Sequence, residues 1–374
     1  MTGVIGGSGV ATAFAGTGGH DGPGRYGHGG PRVQVIADGL DNPRGVEISG
    51  GRVLVAEAGR GGDGPCLPDP EGEGEVCLGA TGAVTAVVPG KRHGHGPSQR
   101  RIITGLPSLA PPGGDEALGL HDIAVGRHGL LGVIGLGADP ARRAELGPGG
   151  ELMAQLVRFR RSATPIADLG AFEAAENPDG GEPDTNPYSL VRDRRWTVVT
   201  DAGGNDLLAV DRRGDITVLA TFPETLVPAP EFLGLPPGTE IPMQAVPTGV
   251  TKGPDGAYYV GELTGFPFVP GAAKVWRVVP GEEPTIYAEG FTNIIDLAFD
   301  RSGRLYVLEI AKEGLLSGDP TGALIRVNRD GTRNELVPGA LTLPGWLDIA
   351  RDGTIFVSNN TVSAGDGELL RITQ

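Results

Sequence analysis

"FTNIIDLAFDRSGRLYVLEI", residues 291–310, places two apolar runs around a polar hinge and ends the second run on Glu309. Two such runs about a short Gly-containing turn read as a β-hairpin. The phrase recurs along the chain as "NPRGVEISGGRVLVAE" (42–57), "LHDIAVGRHGLLGVIG" (120–135), "NPYSLVRDRRWTVVTD" (186–201), "VPTGVTKGPDGAYYVGE" (246–262) and "LPGWLDIARDGTIFVSN" (343–359). Asp-Gly turns at 255–256 and 352–353 strengthen the hairpin signal.

A third strand follows each pair: "GAVTAVV", "AQLVRFR", "NDLLAVD", "AKVWRVV", "GALIRVN" and "GELLRIT". After a further turn come "RRIITGL", "TPIADLG", "ITVLATF", "PTIYAEG" and "NELVPGA" as fourth strands. Four-strand units repeated at even spacing predict an all-β, six-bladed propeller. The last unit stops after its third strand, while "RVQVIADGL" (32–40) precedes the first unit. The N-terminal and C-terminal segments then complete one blade and close the ring, which removes open sheet edges.

The bulk composition agrees. Gly (65) and Pro (32) exceed a quarter of the 374 residues, and they punctuate regular apolar runs as turns do. A net charge of −15 excludes a phosphate-binding basic face, so no nucleic acid is expected. No apolar run has transmembrane length. Residues 1–31 read as a Gly-rich disordered segment, or as the clipped end of an export signal with a small-x-small site at Ala13 and Ala15. Residues 32–374 form the propeller. Cys66 and Cys77 share one Gly/Pro-rich loop: a disulfide if the protein is secreted, two thiols if cytosolic.

Particular phrases, "GLDNPRGV", "AEAGRGGDGPC", "TNPYSLV", "DAGGNDLLAVD", "PMQAVPTGV", "VGELTGFPF", "GFTNIIDLAF", "SGDPTGALIRV" and "VSNNTVSAGDGELLRI", carry a resemblance. Over residues 32–374 the chain resembles NHL and gluconolactonase-type six-bladed propellers, and more narrowly the ScyD/ScyE-family proteins of bacteria. That family is named for an association with scytonemin pigment clusters in cyanobacteria and has no established activity. The resemblance implies the fold. The chain departs from the gluconolactonase pattern where that family places a metal-ligating glutamate, since "DNPRGV" stands there instead of an "EGP"-like opening.

In a closed ring the first strand of each blade lines a central tunnel, so first-strand starts and second-strand ends share one mouth. Glu57, Asp201, Glu262, Glu309 and Asn359 end second strands, with Gly135 in the second unit. Arg44, His121, Tyr188, Thr248, Ile295 and Gly345 begin first strands. Insertions at 59–82, 107–119, 136–152, 170–185, 223–245, 263–272 and 311–321 fall on the same side, where binding usually resides.

The four carboxylates, Asn359 and the nearby Asp122 and Asp296 offer oxygen ligands for Ca²⁺ or Mg²⁺. Their structural alternative is capping of backbone N–H groups in their own loops, or local pairing such as Arg44 with Glu57, and recurrence in nearly every blade favours it. His121 and Asp122 break the pattern and are the catalytic candidates, the alternative being a histidine bonded within its loop. Arg44, Tyr188, Asn186, Asn293 and Phe266 are the candidate ligand contacts.

Other signals carry less. "GRGGDG" (59–64) matches a dinucleotide-binding glycine pattern, but Pro65 and Pro68 exclude the helix that the pattern requires. No Gly-x-Ser-x-Gly elbow occurs. His93 and His95 lie at a hairpin tip, and Asn359-Asn360-Thr361 matches the glycosylation pattern. The resulting expectation is an exported, monomeric binding module for a small molecule, glycan or protein. Its alternative is a divalent-metal-dependent lactonase or lyase with its site at the tunnel mouth.

Overall fold

The computed structural model describes residues 30–69, 74–90, 96–126, 129–160 and 162–374. His93 and His95 lie outside the described residues. Six antiparallel sheets of at least four strands succeed one another along the chain. Their innermost strands are Pro43–Ser49, Leu120–Gly126, Pro187–Arg192, Pro247–Lys252, Ile294–Phe299 and Leu347–Ile349. Each contacts the next, and the sixth returns to the first, so the ring closes as the repeat predicts. Blades are numbered by these strands.

Closure follows the expected route. Arg32–Asp41 pairs antiparallel with Ala364–Thr373, with Arg32 opposite Thr373 and Val35 opposite Leu370. The fourth strand of blade 5 is shorter than the sequence suggests, spanning Arg333–Glu335 only. Leu336 N–H turns back to the Leu324 carbonyl just before Pro338 ends the run.

The continuous apolar runs have a simple cause. Every blade is covered on both faces, so successive side chains of one strand enter different layers. In blade 3, Val198 packs toward blade 4 and Val199 toward blade 2; in blade 4, Tyr258 and Tyr259 divide the same way. The core is thus six apolar layers, one at each junction between neighbouring blades. The polar hinge of residues 300–304 is equally explicit. Asp300 Oδ1 accepts the N–H groups of Ser302 and Arg304, and Gly303 takes φ 73°, which a side chain would strain.

The insertions on the mouth side contain the helix Leu169–Glu176, the 3₁₀ segment Pro140–Gly150 and a hairpin, Thr225–Pro228 with Glu240–Met243. No helix among the described residues is long and apolar enough to cross a membrane. Cys66 and Cys77 form a disulfide with sulfurs 2.00 Å apart across a short extra strand pair on blade 1. Closing so short a loop restricts the unfolded chain by roughly 3 kcal/mol. Cys66→Ala/Cys77→Ala should therefore lose about 2–3 kcal/mol in urea unfolding. The wild-type mass should gain two hydrogens on reduction; an unchanged mass refutes the bond.

Candidate functional site

The tunnel mouth is built by a repeated irregularity. Pairing in blade 1 runs from Pro43–Glu57 to Val46–Val55, in blade 2 from Leu120–Ile134 to Asp122–Val133, and in blade 3 from Pro187–Asp201 to Ser189–Thr200. Blades 4 and 5 slip likewise, from Pro247–Glu262 to Val250–Val260 and from Ile294–Glu309 to Asp296–Leu308. Each slip inserts unpaired residues at the strand entry, where a bulge re-aims side chains. Arg44, His121, Tyr188, Thr248 and Ile295 occupy these slips. In blade 6, Gly345 and Trp346 face Ser358 in the equivalent place.

Three of the mouth rings form a row. The His121 and Tyr188 centroids are 5.1 Å apart, and Tyr188 stacks on Trp346 at 4.9 Å with planes 20° apart. Blades 3 and 6 stand opposite in a six-membered ring, so this stack spans the tunnel. His121 is buried, and its Nδ1 lies 3.0 Å from the Pro187 carbonyl. A carbonyl only accepts, so Nδ1 carries the proton and Nε2 is a bare acceptor. Burial, then the nearby Arg44 charge, push its pKa down to about 3, leaving a neutral ring at physiological pH. Gly135 leaves the necessary room: a Cβ there would lie 2.2 Å from His121 Cε1 and 2.3 Å from Asn186 Oδ1.

Arg44 is only 7% exposed. Its Nη2 donates to the Ala117 carbonyl at 2.9 Å, while its buried Nε has no partner among the described residues. Trp346 Nε1 and Asn186 Oδ1 are likewise buried without partners. Two donors and one acceptor thus go unused around one mouth.

The acids that end second strands are committed elsewhere. Glu57 accepts from Asp41 N–H, Thr85 Oγ1 and Arg101, so its cation is Arg101 and not Arg44. Asp201 accepts from Thr185 Oγ1 and the N–H groups of Asn186, Gly203 and Gly204. Glu262 takes Lys274 N–H and the Trp276 indole, and Glu309 takes Thr292 N–H. Asn359 accepts from Thr342 N–H and donates to Glu368, and it is buried, so its glycosylation pattern is inaccessible. In four of these blades the acceptor ties the second strand to the segment entering the first. Among the described residues no group of three or more His, Cys, Asp or Glu stands ready to hold a metal ion. Pairing also shows that the position matching these acids in blade 2 is Ile134, one before Gly135.

Further down the tunnel, buried and half-buried groups join neighbouring blades. Asp122 Oδ2 accepts from Ser189 Oγ and Leu190 N–H of blade 3, and its Oδ1 from Ile123 N–H. Asp296 accepts Leu347 N–H of blade 6, Asp348 accepts Ile48 N–H of blade 1, and Glu47 accepts Val125 N–H of blade 2. Thr200 and Thr248 donate across the two remaining junctions, to the carbonyls of Thr248 and Ile294. Gly45 and Gly249 permit the closest approaches, since a Cβ would sit 2.3 Å from Asp122 Oδ1 and 2.5 Å from Asp296 Oδ1. Asp122 therefore acts as an inter-blade staple here. Burial, ahead of all other causes, lifts Asp122 and Glu47 to about 7 and raises Asp296 and Asp348 as well.

Asn293 is engaged in its own loop, donating to the Leu263 carbonyl and accepting Leu315 N–H at φ 45°. Phe266 belongs to a rim cluster with Phe268 and the 70%-exposed Phe232, away from the aromatic row. Sequence reasoning missed Trp346, Glu47 and Asp348. The signal for Asp348 was present, because Asp-Ile/Leu-Ala occurs at 122–124, 296–298 and 348–350.

No protein-family model matches the chain, and no curated protein matches it. Solved structures do. A protein of unknown function from Bacteroides thetaiotaomicron aligns at TM-score 0.54 and 10% identity, over 92% of this chain and 76% of that one. A gluconolactonase from Xanthomonas campestris aligns at TM-score 0.50 and 11% identity, over 91% of this chain and 89% of that one. At such identities the likeness is one of fold: the chain is built as a six-bladed propeller of the kind seen in gluconolactonases.

Proposed function

We propose that this protein is an exported binding propeller of the ScyD/ScyE type that holds a small molecule with an acidic group at its tunnel mouth. The carrying observation is Arg44, a guanidinium shielded from water with Nε unused; the Glu116 carboxylate lies within its field but makes no ion pair with it among the described residues. A buried cation of this kind is costly unless a ligand acceptor completes its hydrogen bonds. The Tyr188–Trp346 stack supplies a flat apolar floor, and the disulfide supports export.

The rival reading is a metal-assisted lactonase or lyase, supported by the gluconolactonase among the solved neighbours. Glu57, Asp201, Glu262 and Glu309 would have to leave their present partners to ligate a cation at the mouth.

Isothermal titration with benzoate and gluconate, against benzamide and glucose as uncharged counterparts, tests the proposal. At least one carboxylate should bind, and Arg44→Met should weaken it at least ~30-fold, the worth of a lost charge-assisted hydrogen bond. Equal affinity in wild type and Arg44→Met, or equal binding of the neutral counterpart, overturns the reading. Hydrolysis of gluconolactone that needs added Ca²⁺ or Mg²⁺ and disappears in Glu309→Gln installs the rival.

A further inference from the structure

Blade 3 carries a second chemical cluster that lies outside the aromatic row. The helix Leu169–Glu176 ends at Asn177 in a left-handed cap, and the chain then runs through 178–186 into the inner strand. The turn 202–205 lies against this segment. Its glycines admit carboxylates: a Cβ on Gly204 would meet Glu173 Oε2 at 3.1 Å, and one on Gly203 would meet Asp184 Oδ1 at 2.9 Å.

Two acids hold the loops together and are fully used. Asp201 accepts its four donors, and Asp179 accepts Gly181 N–H and Asn205 Nδ2. The oxygens left over are Glu173 Oε1, Asp184 Oδ1, Asp206 Oδ1 and the Asn177 amide oxygen, all buried and all without a donor among the described residues. Glu173 and Asp206 are 2% and 1% exposed. No Lys or Arg pairs with any of the four among the described residues; Arg143, beside the helix at Gly170, is spent on Asp168. Acceptors without donors, carried by negative groups out of water, need a positive partner.

We propose that Glu173, Asp184, Asp206 and the Asn177 amide oxygen form a calcium-type divalent cation site between the 169–186 segment and the 201–206 turn of blade 3. A donor set made only of oxygens suits Ca²⁺ over a transition metal, because no His or Cys is among the four to favour a softer ion. These side chains do not yet stand at ligand spacing about one point, so the ion draws them together as it binds. The competing way to neutralise the group is protonation. Burial followed by mutual repulsion lifts Glu173 to about 7 and Asp184 to about 6, and raises Asp206 well above its usual range. The site also fixes the segment that delivers Asn186 and Tyr188 to the mouth, through Thr185 and Asn186 on Asp201.

The test uses the full chain stripped with EDTA and titrated with Ca²⁺, Mg²⁺ and Mn²⁺ by calorimetry, with melting followed in parallel. One Ca²⁺ per chain at micromolar affinity is expected, with a higher melting temperature. Glu173→Gln and Asp206→Asn should each weaken Ca²⁺ at least ~10-fold, while Glu309→Gln leaves it unchanged. If one variant fails to fold the other decides, and if both fail, Asp184→Asn takes their place and should weaken Ca²⁺ at least ~10-fold. No heat and no melting shift with any ion at pH 7.5 overturns the proposal and leaves protons as the neutralising partner; so does Ca²⁺ binding that survives both substitutions intact.

Discussion

Glu57→Ala should lower the free energy of unfolding by about 2–4 kcal/mol, the cost of stranding two buried donors plus an ion pair weakened by the 39% exposure of Arg101. Glu57 is 0% exposed and both its oxygens are occupied. Truncation strands the Asp41 N–H and the Thr85 hydroxyl, and leaves Arg101 only Asp41 Oδ2, 2.8 Å away. The position matters because Asp41 ends the N-terminal strand that completes blade 6, while Glu57 and Arg101 belong to blade 1. The cluster therefore locks the closing strand to the first blade, and Arg60 adds a more exposed contact to Asp41. Amide exchange in residues 32–41 should rise more than elsewhere when Glu57 is lost. Glu57→Gln keeps the shape and one acceptor, and should lose only about 1–2 kcal/mol. A Glu57→Ala midpoint equal to wild type, or exchange rising evenly in all blades, contradicts the lock.

The ring was legible because its physics is periodic. Apolar runs, Asp-Gly turns and four-strand units each repeat, and a repeated unit has few ways to bury two faces. Closure was legible for the same reason, as a missing fourth strand at one end and a spare one at the other. The mouth was legible only in outline. Counting a fixed interval back from each acid finds Arg44, His121 and Tyr188, yet it cannot see which way a bulge turns the next residue. That is why Gly345 was named and its neighbour Trp346 was not. The acids show a different limit. A glutamate ending a strand looks the same in sequence whether it caps Thr292 N–H, as Glu309 does, or faces a ligand. Only the donors around it distinguish the two, and those come from segments 15–17 residues away. The sequence shows Glu173 and Asp184 within a loop insertion and Asp206 at the start of a third strand, and these acids come near one another only when helix and turn fold together.

Stability should fall as pH rises from 5 to 8, opposite to the habit of proteins rich in exposed ion pairs. Asp122 and Glu47 titrate near 7 when folded, and Asp296 and Asp348 are raised too, burial being the first cause in each. Unfolded, such groups ionise near pH 4. Between these limits the folded state binds more protons, so stability is fully present below about pH 4 and is lost as pH climbs toward 7. His121 opposes this, because its depressed pKa removes stability as pH falls from about 6.5 toward 3. These four carboxyls, joined by Glu309, which burial also lifts to about 7, outweigh the one imidazole, with a net loss on the order of 3 kcal/mol or more between pH 5 and 8. The blade 3 carboxyls slope the same way when no cation is bound, so urea unfolding should be run in EDTA and in Ca²⁺. Glu47→Gln isolates the tunnel contribution: its amide oxygen can still accept Val125 N–H, but it carries no charge toward Asp348 and Asp122. That variant should match wild type at pH 5 and exceed it by about 1–2 kcal/mol at pH 8, after discounting for its partial exposure. If the difference between variant and wild type is the same at both pH values, Glu47 is ionised throughout and accepts Val125 N–H as a carboxylate, which contradicts the prediction.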